Sequence, residues 1–427
     1  MKKQFIPLHM NNQQSSSSLR VITIIAMMFL YGMIAFVTNL AAPVGKIWEQ
    51  SFSGSHAQFM GMLGNAMNFL AYLIMGIPAG LMLSKVGYKR TALIAVFVGF
   101  LGIFGQYLSG LFDSFIVYLL GAFICGFSVC MLNTVVNPLL TLMGGGGKRG
   151  NQLNLIGGTI NSLAGSLTPM LVGALIGAEL AGKEIDDVNL ILYIAMGVFA
   201  VVYLVIRITP IAEPEGAGQE IVYEHSPWSF RHFVLGAVAI LLYMGVEIGI
   251  PATLISYMTP KVGFAVAGFI AGRYWLLMLV GRFIGSAVGG KISSRAMLIT
   301  AAAMTVALIT AAMCLGDSVM VKTFVQGQVM EVPIASTLLV LTGLFTSIMW
   351  GCIFNLSVEG LGKYTAKASG IFMTMVVGGA IWPSLQAALA GRIGILVSYI
   401  VPLLCAAYIL YYAIAGCRNV NTDIKIN

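Results

Sequence analysis

The sequence predicts an all-α membrane protein with twelve transmembrane helices arranged as two bundles of six. Three observations carry that reading. Of the 427 residues, 59% are hydrophobic and only 9% are charged, whereas a soluble domain carries about 25% charged residues. The apolar residues gather into twelve runs, each near the about 20 residues that a helix needs to cross a bilayer. The longest interior hydrophilic stretch, 210–232, holds Glu213, Glu215, Glu220 and Glu224 and follows the sixth run, so it divides the chain into halves.

In order, residues 1–20 form a polar N-terminal tail with a serine run, of a composition that favours disorder. The first six spans are 21–44, 59–83, 91–111, 115–142, 153–178 and 190–206, and they make an N-terminal bundle over 21–208. Residues 209–232 are the linker. The second six begin near Phe233 and continue as 265–289, 296–315, 334–356, 369–390 and 394–414, a C-terminal bundle over 233–414, and 415–427 is a short tail. The polar head is too long, and the first apolar run long enough, for a membrane span rather than a cleaved leader.

Lysine and arginine placement sets the expected orientation. With both tails and the linker in the cytoplasm, the inside set includes Arg20, Lys85, Lys89, Arg90, Lys148, Arg149, Arg207, Arg231, Lys291, Arg295, Lys363, Lys367 and Arg418. The outside set is Lys46, Lys183, Lys261, Lys322 and Arg392. Cytoplasmic loops of membrane proteins carry this excess, so the net charge of +8 reports topology and not nucleic-acid binding. The six cysteines form neither a CxxC nor a Cys/His cluster, which excludes a disulfide framework and a zinc site as readings.

One charge stands apart. Glu247 lies near the centre of the seventh span, and every other acid falls in a predicted loop, end or tail. A carboxylate at that depth costs at least about 2.5 kcal/mol and marks a functional site unless a structural ion pair neutralises it. Arg273 and Arg282 are the other charges within spans, both in the eighth. Arg282 is two turns from the basic end, where snorkelling or a salt link suffices, and whether Arg273, about a third of the way along the same span, faces Glu247 is left open by the sequence.

The spans also carry amides: Asn39, Asn65, Asn68, Gln106, Asn133, Asn137, Asn154, Asn161, Asn355 and Gln386. Singly, each serves equally well as interhelical packing glue. As a set they suggest a polar cavity, and amides, which donate and accept, suit a neutral polyhydroxylated ligand. Trp275, Trp350 and Trp382 are candidates to stack on a sugar ring; Trp382 is the strongest because Pro383 follows it in mid-span. Ion conduction would call for rings of carbonyls or of one charge. The histidines His9, His56, His225 and His232 lie outside the predicted spans, which argues against a membrane enzyme, and the tails are too short for a sensor's output domain.

Several of these residues sit in motifs. Gly80-Leu-Met-Leu-Ser-Lys-Val-Gly-Tyr-Lys-Arg90 resembles the loop 2–3 signature of the major facilitator superfamily, with Ser84 where aspartate is common. Asn137-Pro138, Leu153-Asn154-Leu155, Asn161-Ser162-Leu163, Tyr243-Met-Gly-Val-Glu247, Val280-Gly-Arg-Phe-Ile-Gly-Ser286 and Glu359-Gly-Leu-Gly-Lys-Tyr-Thr365 are similar to motifs of its fucose/glucose/galactose permease family, as are Gly378-Gly-Ala-Ile381, Pro383 and Gln386. The match is nearer the glucose–galactose branch and spans most of the chain.

The resemblance implies the major facilitator fold and import of a sugar by cation-coupled alternating access. The sugar would be a hexose such as glucose or galactose, or fucose. The coupling ion would be a proton or sodium, with no cofactor, and the protein a monomer in a bacterial inner membrane. The substrate would be bound by Asn39, Asn133, Asn137, Asn161, Glu247, Trp382 and Gln386, with Glu247 also carrying the coupling. Gly80, Gly87, Lys89, Arg90 and Arg282 are the loop and gating residues. The sequence departs from the family at Asn39, where relatives usually carry an acid, at Asn133, where the fucose branch carries an acid and the hexose branch an amide, and near Gly157-Gly158, where a glutamine is missing. An uncoupled facilitator, or a carrier of another small polar solute on the same fold, is the alternative.

Overall fold

The computed structural model describes residues 15–50, 52, 57–176, 185–213, 224–325, 327–421 and 424. Six long helices come first: α1 (Ser15–Gln50), α2 (Ala57–Val86), α3 (Tyr88–Leu111), α4 (Phe115–Met143), α5 (Gly147–Ile176) and α6 (Asn189–Ile208). After the linker follow α7 (Arg231–Val262), α8 (Phe264–Val288) and α9 (Ser294–Leu315). The last three crossings are interrupted. The tenth is α10 (Ile334–Thr346) then α11 (Met349–Val358), and the eleventh is α12 (Thr365–Thr374), a 3-10 turn (Met375–Val377) and α13 (Gly378–Ile393). The twelfth is α14 (Ile400–Tyr411), ending in a π turn (Tyr412–Gly416).

Eleven helical segments among the described residues are long and apolar enough to cross a membrane. The remaining crossing is α5, which is 30 residues long and carries Asn151, Gln152, Asn154 and Asn161 in its first half. Two boundaries differ from the sequence reading. α1 begins at Ser15, inside the expected 1–20 tail, and α7 begins at Arg231, inside the expected linker. The rest of that tail, residues 1–14, and linker residues 214–223 lie outside the described residues.

In the first half α3 packs on α4 and α6, α1 on α5, and α2 on α4; in the second α7 packs on α13 and α14, α8 on α10, and α9 on α10 and α14. Large apolar residues on the outward faces remain exposed, for example Phe97 on α3, Leu204 on α6 and Phe283 on α8. An apolar outside is what a lipid-facing surface requires.

The start of α1, residues 209–213 and 224–230, and residues 412–421 after α14 share one end of the bundle. It is the basic end, because Lys85, Lys89, Arg90, Lys148, Lys291, Arg295 and Arg418 lie there. The two halves touch mainly at this end, through α2 with α12 and α5 with α8. The α2–α12 crossing is backbone on backbone: a Cβ on Gly80 would lie 2.8 Å from Gly370 Cα and 2.9 Å from Ala366 O. Across α5–α8, Gln152 Nε2 donates to Ser286 O at 3.1 Å and Lys148 Nζ to Lys291 O at 2.8 Å.

The tight α2–α3 turn has a local cause. Gly87 adopts φ 85°, a conformation that glycine reaches without a Cβ penalty. The backbone N–H groups of Tyr88 and Lys89 then donate to the Glu213 carboxylate at 2.8 and 2.7 Å, and Lys89 Nζ donates to Thr209 O at 2.8 Å. An acid at a helix N-terminus satisfies first-turn donors and opposes the helix dipole. Arg90 is exposed.

The crossings are all helical, and one small element is added outside them. At the opposite, distal end, β1 (Met320–Val325) and β2 (Gln328–Pro333) form an antiparallel hairpin with Phe324 opposite Val329. Its turn uses Gly327 at φ 86°. Arg273 binds this hairpin, donating to Thr323 Oγ1 at 2.7 Å and to Phe324 O. It therefore faces away from Glu247, which decides a point the sequence leaves open. A two-stranded hairpin of this kind is marginal alone, which is why so short an alternating stretch gives no strand signal.

Candidate functional site

A cavity of about 280 Å³ lies between the halves, above the sealed basic end. Its walls come from both bundles: Tyr31 and Thr38 of α1, Asn68 and Tyr72 of α2, Asn133 of α4, Asn161 of α5, and, across the divide, Glu247, Trp275, Arg282 and Trp350.

Glu247 and Arg282 form the charged centre. The carboxylate oxygen Oε1 is 3.3 Å from the guanidinium, and the two side chains are only 12% and 14% exposed. Arg282 also donates to Ser162 Oγ at 2.5 Å and Gly158 O at 3.2 Å on α5, and to Ser347 O at 3.3 Å beyond α10. One guanidinium thus ties the Glu247 helix to the opposite half. Its fan of five N–H donors makes this possible, where a lysine would supply a point charge. The sequence reading puts Arg282 among loop and gating residues, with snorkelling or a salt link as its simplest role. The structure puts it in the cavity wall, paired with Glu247.

Around the pair runs an amide and phenol network. Tyr31 Oη donates to Asn137 Oδ1 at 2.6 Å, and Trp350 Nε1 donates to the same oxygen at 3.3 Å, so Asn137 bridges the halves from just behind the cavity wall. Asn137 Nδ2 reaches Asn133 O at 2.8 Å, Asn133 Nδ2 reaches Tyr72 Oη at 2.8 Å, and Asn161 Nδ2 reaches Tyr31 O at 3.0 Å. Asn68, which lines the cavity, has a buried Oδ1 with no partner among the described residues. The indole of Trp350 stands edge-on to Phe372, with centroids 5.8 Å apart.

The structure brings Asn133, Asn161 and Glu247 together on the cavity, with Asn137 directly behind them. Asn39 lies in α1, but its side chain is outside the described residues. Trp382 and Gln386 belong elsewhere. They pack from α13 against Gly245 and Gly249 of α7, each two residues from Glu247 and so about 200° around that helix. Gln386 is fully buried there and, among the described residues, neither its amide atoms nor the buried Nε1 of Trp382 has a hydrogen-bond partner. Neither lines the cavity, which corrects their grouping with the other site residues. Tyr31 and Tyr72 are site residues that the sequence does not single out, and Ser162 enters it only as part of the Asn161-Ser162-Leu163 motif. Phenols and hydroxyls in an apolar run look like ordinary core residues until their partners are seen.

Two bundles of six membrane-length helices enclosing a polar cavity at their junction define a membrane transporter of the two-domain type. This chain belongs to the Major Facilitator Superfamily, whose sequence profile it matches over residues 24–383. It is 27% identical to the glucose/galactose transporter of Brucella abortus biovar 1 (strain 9-941), over 97% of this chain and 98% of that protein. It is 30% identical to the putative glucose/galactose transporter of Helicobacter pylori (strain J99 / ATCC 700824), over 95% and 99%. The fold superposes on the crystal structure of a variant of the Escherichia coli fucose:proton symporter, FucP, with a TM-score of 0.80, at 20% identity and over 92% of this chain and 98% of that one.

Proposed function

We propose that this protein imports a single-ring sugar, a hexose such as glucose or galactose, by cation-coupled alternating access. The observation that carries the reading is the Glu247–Arg282 pair set among amides and phenols in one cavity between the halves. The cavity, of about 280 Å³, has room for a sugar ring. Amides and phenols bind hydroxyls in both directions, and Trp350 and Trp275 offer apolar faces for the C–H side of a ring. The names of the relatives support a sugar as cargo.

Coupling follows from competition at Glu247. A proton or sodium ion bound to the carboxylate takes the place of Arg282, and the freed guanidinium changes its hold on α5. Ion binding is thereby tied to the contact between the halves, and a carrier whose Glu247 never exchanges partners would be a facilitator. The test is uptake of radiolabelled sugars into proteoliposomes, with an imposed sodium gradient, a pH gradient or neither. Accumulation of a hexose above equilibrium with one gradient is the expected result. Equilibration alone, unchanged by either gradient, identifies the facilitator, and no hexose uptake under any condition overturns the sugar reading.

The basic end is the cytoplasmic one in this proposal, in a bacterial inner membrane, because loop lysines and arginines remain inside. The expected outcome of labelling is protection. In a Cys314→Ser background, since Cys314 is the exposed native thiol, cysteines at Ser16 or Asp423 should resist an impermeant maleimide in sealed cells. A cysteine in the distal hairpin at Lys322 should react. Reversal of that pattern overturns the orientation.

A further inference from the structure

We propose a second binding site, for a phosphate-bearing anion, in the basic end of the molecule, where it holds that end closed. A cavity of about 410 Å³ lies there, separate from the one between the halves at mid-depth. It is lined by Lys148 from the first turn of α5, Ser294 and Arg295 from the start of α9, Asn355 from α11 and Glu359 just after it, and Arg418 beyond the last helix. Three cations face one carboxylate. Arg295 commits two of its donors, to Ala413 O and Ile414 O, and Lys148 commits one, to Lys291 O; a guanidinium has five N–H groups and an ammonium three, so both keep donors for a ligand.

Two features convert this basic pocket into a site for an oxyanion. The first is the N-terminus of α9, a 22-residue helix capped by Ser293, whose Oγ accepts from Ala296 N and whose carbonyl accepts from Met297 N. The N–H groups of Ser294 and Arg295 belong to the first turn, where a helix supplies no acceptor of its own and favours negative charge. The second is Asn355. It is 2% exposed, its Nδ2 donates to Ser294 Oγ at 3.0 Å, and its Oδ1 has no partner among the described residues. A serine hydroxyl donates as readily as it accepts, so a half-turn of the amide keeps the Ser294 bond and presents an NH₂ to the cavity. An anion then satisfies a buried amide that otherwise has an orphaned end.

The position determines the consequence. Lys148 belongs to the first half and all the other residues named to the second, and Lys148 Nζ already bonds the opposite half at Lys291 O. The site is complete only while the basic end is shut. A ligand that binds one state alone stabilises that state, so phosphate here favours the form with the central cavity away from the basic end. As regulation of sugar entry, this consequence rests on the transport reading, whereas the binding itself does not.

The test uses the purified full chain in detergent, without sugar or gradient, so its result stands apart from any failure of transport. Inorganic phosphate and glucose 6-phosphate are titrated by calorimetry at ionic strength held constant with chloride. Saturable binding at one site is expected, weakened at least tenfold in Lys148→Gln and in Arg418→Gln, both exposed positions that leave the fold intact. A cysteine at Gln152, within the α5–α8 seal, should react more slowly with a soluble maleimide when phosphate is present. Displacement of phosphate by nanodiscs of phosphatidylglycerol, and not of phosphatidylcholine, assigns the site to a lipid headgroup; retention of phosphate assigns it to a soluble anion. Binding that is absent, or equal in wild type and both variants, overturns the site. Binding with unchanged reactivity at Gln152→Cys overturns its link to closure.

Discussion

Replacing Glu247 by glutamine is expected to abolish accumulation of sugar against a gradient, a loss of a hundredfold or more, while counterflow exchange of sugar persists. Exchange needs only a filled cavity and the rocking of the halves. Accumulation needs a carboxylate whose charge can pass between Arg282 and the driving cation. Glutamine keeps hydrogen-bonding capacity but loses the charge-assisted bond, about twice as strong as a neutral one. The variant is also expected to lose stability, because both partners are nearly buried and removing one side of such a pair costs about 3–5 kcal/mol. Glu247→Gln/Arg282→Gln distinguishes the two effects. The double variant leaves no uncompensated charge, so its melting temperature in detergent should recover towards wild type while accumulation stays absent. Wild-type accumulation by Glu247→Gln would remove Glu247 from coupling. A double variant as unstable as the single one would show that the pair is not the source of the lost stability.

The second large effect is expected at Gly80. A single methyl there meets backbone atoms, Gly370 Cα at 2.8 Å and Ala366 O at 2.9 Å, and backbone cannot swing aside as a side-chain tip does. Overpacking of this kind costs about 1–3 kcal/mol, and each 1.4 kcal/mol is about tenfold in an equilibrium. The contact exists between α2 and α12 only while the basic end is closed. Gly80→Ala should therefore shift the population by about five- to a hundredfold towards opening at that end, where a cysteine at Gln152 would become reactive, and uptake should fall in proportion. Gly272→Ala is the control, since a Cβ there meets nothing within 4 Å. If Gly80→Ala labels and transports like the control, the glycine crossing is not what seals this end.

Much of the fold is legible in the residues. Length and hydropathy decide the crossings, because in hydrocarbon a backbone must satisfy its own hydrogen bonds and only helices of membrane length do so within one segment. Asn154 and Asn161 of α5 lower its hydropathy, yet its length and neighbours still mark it as a crossing. The hairpin at 320–333 is not legible. Its strands are short, and its anchor is Arg273, a residue about fifty positions away that the sequence could equally have turned towards Glu247.

The site divides along the same line. Glu247 stands out by itself, because burying a carboxylate in a membrane is costly wherever the neighbours lie. Asn133, Asn137 and Asn161 stand out as a class. Which of them share a wall, and which arginine answers Glu247, depends on helix rotation and on contacts between halves more than a hundred residues apart, such as Arg282 with Ser162. Trp382 and Gln386 show the limit most clearly. Their composition and their proline suggest a site, but rotation of α7 turns Gly245 and Gly249 towards them and Glu247 away. The sequence by itself determined the membrane class, the division into two halves and the one costly carboxylate, since these follow from transfer free energies that each residue carries with it. Only the tertiary structure decided the partner of that carboxylate, the members of the cavity and the end that is closed, since these follow from packing between helices that the chain order leaves free.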